Sequence, residues 1–237
     1  KRFNEDGTGS IHIYTPWWLD NKNLDFPRGY HIEYGGRMSM PSYGFESGIH
    51  TRNGKIPGRD GKPKQGGGFC AELKRFYRRF FSMRVSMAGT GSAITGKENG
   101  CETDPNVVDK YGIPVLRFNY TWANEEIKQA KHMQDTFQAI MHEMGAIVTS
   151  TPHGPENNYG LEAPGRIIHE VGTTRMGDDS KKSALNKWCQ AHDCNNLFVV
   201  DAAPFVQQGD KNATWTILAL SLRTAEYMLE QRKKLNI

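Results

Sequence analysis

The stretch from Gly165 to Thr214 constrains this chain more than any other. It reads GRIIHEVGTTRMG, then a polar spacer, then NLFVVDAAPFV and GDKNAT. The first block carries one histidine, His169, directly ahead of a Gly/Thr turn. Beyond the spacer, a short apolar run predicts a strand ending at Asp201. The Asn-Ala-Thr triplet then predicts a helix opening near Asn212 and running to about Lys234, with Asn212 as a candidate N-cap. On that helix Trp215, Leu218, Leu222 and Ala225 set one apolar line, widened by Ile217 and Leu220.

Upstream, alternation dominates. IHIYTPWW and GYHIEYGG read as antiparallel strands around the Pro27-Arg28-Gly29 turn signal. In the second, Tyr30, Ile32 and Tyr34 share one face, and His31 and Glu33 the other. Residues 51–68 are rich in Gly, Pro and Lys and predict a long surface loop. FCAELKRFYRRFF has helical spacing, with Phe69, Leu73, Phe76, Tyr77 and Phe80 on one side. MRVSMAG and GIPVLRFNYTW predict strands. Asn124 opens a helix through Met144, with Glu125 and Glu126 in its first turn and Gly145 as the natural stop. Its apolar stripe is Ile127, Ala130, Phe137, Met141 and Met144, and its His132 and His142, not at i,i+4, read as packed or surface histidines. IVTSTP predicts one more short strand. No internal repeat is present.

The run GTGSAITGKE almost spells a phosphate loop. As a dinucleotide fingerprint it lacks its third glycine, because Ile94 stands there, and no helical pattern follows. As a P-loop it has Glu98 where Ser or Thr would ligate magnesium, so a Gly-rich turn after a strand is the expectation. Four cysteines are too few for a disulfide scaffold. CQAHDC, with His192 between Cys189 and Cys194, lacks a second ligand pair at zinc spacing and reads as an ordinary or disulfide-closed loop, so no metal site is expected. A net charge of +4 is spread along the chain, with KRFYRR and QRKK as solvated helix faces, and does not point to nucleic acid. No run of eighteen apolar residues occurs. No G-x-S-x-G elbow accompanies His169, which argues against a hydrolase.

The pattern H-x-V-G-T-x-R-M-G, then N-L-x-V-x-D-A-x-x-F, then N-A-T resembles the C-terminal signature of the glucose–methanol–choline (GMC) flavoprotein oxidoreductases. PRGYHIE, DPNVVDKYGIPVLRF, EIKQAKHMQDTF, LNKWCQAHD and TILALSLRTAEYM are similar to the branch of gluconate, fructose and sorbitol dehydrogenases. The resemblance implies an α+β fold, a mostly antiparallel or mixed sheet with helices on one face. Residues 1–190 would form a substrate domain, and the strand and helix of 191–237 would complete an FAD domain. It implies FAD as cofactor and a sugar, polyol or sugar acid as substrate. An electron-transfer partner such as a cytochrome and a periplasmic or membrane-associated setting are further expectations of the same kind.

Removing hydride from an alcohol needs a base for the hydroxyl proton and a cofactor as electron sink, because no side chain accepts hydride. An ordinary imidazole titrates near neutral pH, and an asparagine amide can hold the same oxygen without competing for the proton. The resemblance makes His169 the base and Asn212 its partner. It places Asp201, Ala202, Asn212, Ala213 and Thr214 against the cofactor. From the residues alone His169 could equally be a packed core histidine, and Asp201 a turn residue at a strand end. Arg175 either touches substrate or holds its loop. His31 and Glu33 either reach a polyol or lie on the surface. The family's G-x-G-x-x-G nucleotide unit has no counterpart here. The chain is therefore expected to be the C-terminal part of a longer flavoenzyme, inactive and without flavin by itself. The competing expectation is a non-catalytic carbohydrate-binding or interaction module.

Overall fold

The computed structural model describes residues 9–36, 55–57, 63–65, 85–93, 96, 98–146, 148, 150–166 and 168–237, with single positions between 70 and 81. The chain divides into two units. One comprises residues 1–90 and 127–160, the other 91–126 and 161–237.

The first unit is built on β1 (Gly9–Tyr14), β2 (Tyr30–Gly36) and β5 (Val85–Gly91), in the order β1-β2-β5. β1 and β2 are antiparallel, pairing Ile11 with Tyr34, His12 with Glu33, Ile13 with Ile32 and Tyr14 with His31. Between them Pro16–Trp18 form a single 3-10 turn, where the sequence predicted continued strand. Arg28 takes a positive φ of 66° in the expected turn. The alternation of β2 holds only in part: Tyr30 and Ile32 are buried, but so is His31 on the opposite face, and Tyr34 is half-buried. Tyr30 and Ile32 form the buried core with Phe26 and Met133, and Trp17, Leu24, Met87, Phe137 and Ile140 pack around it.

Met133, Phe137 and Ile140 come from α1 (Asn124–Glu143), a helix with the predicted acidic first turn. Gly145, at φ 64°, returns its N–H to the His142 carbonyl at 2.9 Å and ends the helix where the sequence said it would. The helix approaches β5 closely. A Cβ on Gly89 would lie 2.6 Å from the Met133 sulfur, so this glycine belongs to a packed strand rather than to a phosphate-binding turn. His132 is packed, as expected, edge-on to Trp17 and Phe26. Its Nδ1 lies 2.8 Å from the Tyr30 hydroxyl, which also meets Thr136 Oγ1 at 2.9 Å.

Several expectations need correction. Residues 51–68 are not wholly loop: β3 (Lys55–Pro57) and β4 (Pro63–Gln65) form an antiparallel ribbon. At 148 and 150–152 the backbone is not strand. The apolar stripe proposed for 69–80 lies outside the described residues, although 71, 74, 75 and 78 are helical.

The second unit contains β6 (Gly100–Val108), β7 (Pro114–Asn119) and α2 (Thr214–Lys233). β6 and β7 are antiparallel, with an irregularity between Thr103 and Val108. The architecture is thus α+β, but with small separate antiparallel sheets rather than one large one. The predicted strand ending at Asp201 is a single bridge, Gln190 to Phe198, supported by Val199 N–H on the Cys189 carbonyl at 3.0 Å. Among the described residues, no helix is long and apolar enough to cross a membrane.

Candidate functional site

His169 lies half-buried in the segment that leads into Gly172. Its φ is 80°, in the left-handed region that a side chain other than glycine seldom occupies. Such strain persists only where the surroundings hold it, and it recurs at functional positions. The surroundings can be traced. Upstream, the Trp122 indole donates to the Glu162 carbonyl at 3.0 Å. Downstream, Gly172 takes φ 84°, and a Cβ there would stand 3.3 Å from the Phe205 carbonyl oxygen. Thr174 N–H donates to Ala203 O at 3.2 Å, and Met176 N–H to Pro204 O at 2.9 Å. The turn after His169 is thereby fastened along the loop that follows Asp201.

That loop has its own internal order. Asp201 Oδ1 accepts from the Ala203 N–H at 2.7 Å, so the carboxylate makes a tight turn of its own backbone. Phe205 N–H closes back on Ala202 O at 3.2 Å. Farther on, Gln208 O accepts from Ser92 Oγ at 2.9 Å, and the Gln208 amide donates to Lys211 O at 3.2 Å. Asp210 is buried and pairs with the Lys211 ammonium.

α2 is anchored to the same region by polar groups on one face. Ser221 Oγ donates to Val200 O at 2.8 Å, one residue before Asp201. Thr224, fully buried, donates to Trp188 O at 3.2 Å, and the Tyr227 ring stacks on Trp188 at 4.7 Å between centroids. Sequence reasoning missed this role. The signal was there, as Ser, Thr and Tyr at i, i+3 and i+6 along one side of the helix. Of the predicted apolar residues, Trp215 is 84% exposed, Leu218 56% and Leu222 64%, while Ile217 and Leu220 are half-buried on the docking side.

The start of α2 corrects one expectation. Asn212 is not the N-cap. That position is Ala213, in the helical region, with no side-chain capping bond, and the helix proper begins at Thr214. Asn212 is exposed, so its amide faces outward beside a helix start whose N–H groups lack a capping side chain. The three signature pieces are thus tied through the middle one: the Gly172–Met176 turn to Ala203 and Pro204, and α2 to Val200. Among the described residues no hydrogen bond joins His169 to Asn212.

Arg175 has a structural task. Its guanidinium donates to Lys182 O at 3.3 and 3.2 Å, holding the loop that lines an open depression with Asp179 and Val206. The CQAHDC segment is an ordinary loop. Its cysteines are free, His192 Nε2 sits between Gly177 O at 3.2 Å and Ser183 Oγ at 3.1 Å, and Cys194 bonds Asn196.

His31 and Glu33 belong to the other unit. His31 is 1% exposed, packed against the rings of His12 and Tyr14, with its Nε2 3.3 Å from Glu33 Oε1. A sugar hydroxyl arriving from solvent would meet Glu33 before His31.

The family model for GMC oxidoreductases, C-terminal domain, matches residues 101–221. The chain is 32% identical to the 2-methyl-1,2-propanediol dehydrogenase of Mycolicibacterium austroafricanum over 168 residues, 68% of this chain and 29% of that protein. It is 28% identical to the gluconate 2-dehydrogenase flavoprotein of Pantoea cypripedii over 205 residues, 86% of this chain and 32% of the other. It is 32% identical to the fructose dehydrogenase large subunit of Gluconobacter japonicus over 164 residues, 69% and 28%. The chain therefore spans less than a third of the length of these relatives.

Proposed function

The chain belongs to the GMC oxidoreductase family, and from that premise we propose that it works as the C-terminal part of a longer FAD-dependent enzyme oxidising a CH–OH group of a sugar, polyol or sugar acid. In this reading residues 1–190 serve the substrate, and 191–237 complete the cofactor domain. The observation that carries it is His169: half-buried, held at φ 80° and followed by a turn fastened to the loop after Asp201. Glycine would fill this backbone position at lower cost, and a titratable side chain held there beside a fastened turn supports the reading.

The residues present fit one end of a flavin. The start of α2 offers N–H groups at Ala213 and Thr214 with no side chain competing for them, suited to an electron-rich ring edge. Ala202 and the Asp201 oxygen not committed to Ala203 would border the same group. Nothing described here supplies the phosphate-binding turn. Bound FAD would supply the hydride acceptor.

The chain's own residues do the rest. An imidazole nitrogen of His169 takes the hydroxyl proton, which leaves electron density on the substrate oxygen. The Asn212 amide donates a hydrogen bond to that oxygen and fixes the alcohol's orientation. The turn from Gly172 to Met176, laced to Ala203 and Pro204, keeps the imidazole from drifting as it gains charge. Gluconate-, fructose- and diol-oxidising relatives support a polyhydroxylated substrate. A cytochrome-like acceptor and a periplasmic or membrane-associated setting remain part of the proposal on family grounds.

The test is His169→Ala in the flavin-loaded, full-length enzyme, with anaerobic stopped-flow reduction by gluconate, fructose, sorbitol and ethanol. Loss of a general base typically costs roughly 10²–10⁴-fold. Reduction by the polyols should slow by about that factor while FAD content is kept, and ethanol should be poor in both forms. Reduction of the variant at the wild-type rate would remove His169 from the mechanism.

A further inference from the structure

On the β1–β2 hairpin, His12, His31 and Glu33 share one face. His12 and Glu33 are direct cross-strand partners, and His31 lies two residues before Glu33 on the same strand. Their ligand-capable atoms all lie within 4.8 Å of one another. His31 Nε2 is 3.3 Å from Glu33 Oε1, and His12 Nδ1 is 3.9 Å from the same oxygen. The two imidazoles stack at 5.2 Å with planes 22° apart.

We propose that His12, His31 and Glu33 form a binding site for a divalent transition cation of the zinc type, which clips the outer strand β1 onto β2. Two imidazoles and a carboxylate are a donor set that zinc accepts, with a fourth position left for water. The distances can be judged against that geometry. Ligand atoms about 2.0–2.1 Å from a tetrahedral zinc are separated by roughly 3.3–3.4 Å. The His31–Glu33 edge already has this length. The His12–Glu33 edge exceeds it by about half an ångström, an adjustment within reach of an exposed side chain on an outer strand. The buried His31 gives the site a fixed floor, and the exposed His12 and half-buried Glu33 give it an entrance.

The bland alternative is a histidine satisfied by its carboxylate neighbour, with His12 merely adjacent. It makes different predictions. Among the described residues β1 is paired on one side only, to β2, so a cation joining His12 to His31 and Glu33 would hold it from fraying, and binding would appear as stabilisation.

The 237-residue chain, stripped of metal with a chelator that is then removed, would be titrated with Zn²⁺ by calorimetry and with Co²⁺ by visible absorption, beside its thermal melt. His12→Ala and Glu33→Gln are the informative variants, because both side chains are accessible and neither supports the core. The wild type should bind one equivalent with a raised Tm and a visible Co²⁺ band. Each variant should lose at least tenfold in affinity and the metal-dependent rise in Tm, while keeping its melt without metal. Equal binding by wild type and both variants would assign the metal to the free thiols or other histidines and overturn the proposal. Absence of binding to the wild type at 100-fold excess Zn²⁺ would overturn it too.

Discussion

Gly172 offers the most direct check on how the His169 turn is held. Replacing it with alanine does two things at once. The φ of 84° is left-handed, and an L-residue there costs about 1–2 kcal/mol. The new methyl would also stand 3.3 Å from the Phe205 carbonyl oxygen, a backbone atom that must shift by tenths of an ångström. Overpacking of this kind adds on the order of 1 kcal/mol. Gly165 separates the two contributions, because it has φ 76° with nothing within 4 Å of its Cβ position. The unfolded-state gain of a Gly→Ala change is common to both and cancels in the comparison. Urea denaturation should therefore place Gly165→Ala about 1–2 kcal/mol below wild type, and Gly172→Ala roughly another 1 kcal/mol lower. In the flavin-loaded enzyme, only Gly172→Ala should also slow reduction, since it pushes the turn away from Ala203. If Gly172→Ala is no less stable than Gly165→Ala, the contact with Phe205 is not holding the turn.

Asn212→Ala should slow flavin reduction while leaving the thermal melt within about 0.5 kcal/mol of wild type, because Asn212 is exposed and does not cap α2; a large loss of Tm would show a structural role instead. In the first unit, Tyr30→Phe removes a hydroxyl shared by His132 Nδ1 and Thr136 Oγ1 and should cost about 1–2 kcal/mol by chemical denaturation near pH 8. Tyr30 also predicts a pH dependence. Burial, the leading cause, pushes its pKa from the ordinary 10.0 up to about 12, so the folded chain keeps the phenol neutral while the unfolded chain ionises it. Stability is then fully present below pH 10 and is lost as the pH rises from 10 towards 12. Melts at pH 8, 10 and 11 should show that loss in wild type and a smaller one in Tyr30→Phe.

What could be read in advance depended on how local its cause was. α1 was legible because stop signal, acidic first turn and apolar spacing agree over twenty residues, although Met133 and Ile140 complete the face that was drawn. β6 was not, because Asp104-Pro105-Asn106 reads as a turn. The strand absorbs it as a local irregularity, with Asp104 Oδ1 accepting from Asn106 and Val107 N–H at 2.8 and 3.1 Å. NLFVVD looked like a strand by composition, but a ladder needs a partner edge, and among the described residues Phe198 finds only the single bridge to Gln190. At the site, the residue types of the signature were visible in sequence. That Asn212 stands one residue outside the cap, and that His169 sits at positive φ, are properties of backbone geometry that side-chain patterns do not encode.

The helix α2 carries this furthest. Periodicity identified its apolar line, Trp215, Leu218 and Leu222. Within the chain the opposite face is the one that docks, through Ser221, Thr224 and Tyr227. Trp215, Leu218, Leu222 and Leu229 repeat at helical spacing on the outer side, every one more than half exposed. Periodicity reports which face is apolar, not what covers it. A line of this length, rooted beside Asn212 and Thr214, is what a helix needs if it is to be held on one side by its own loops and on the other by a cofactor domain. If 191–237 completes a cofactor domain as proposed above, the face bearing Ser221 and Thr224 would set the position of α2 against Val200, and the exposed apolar line would pack on that domain.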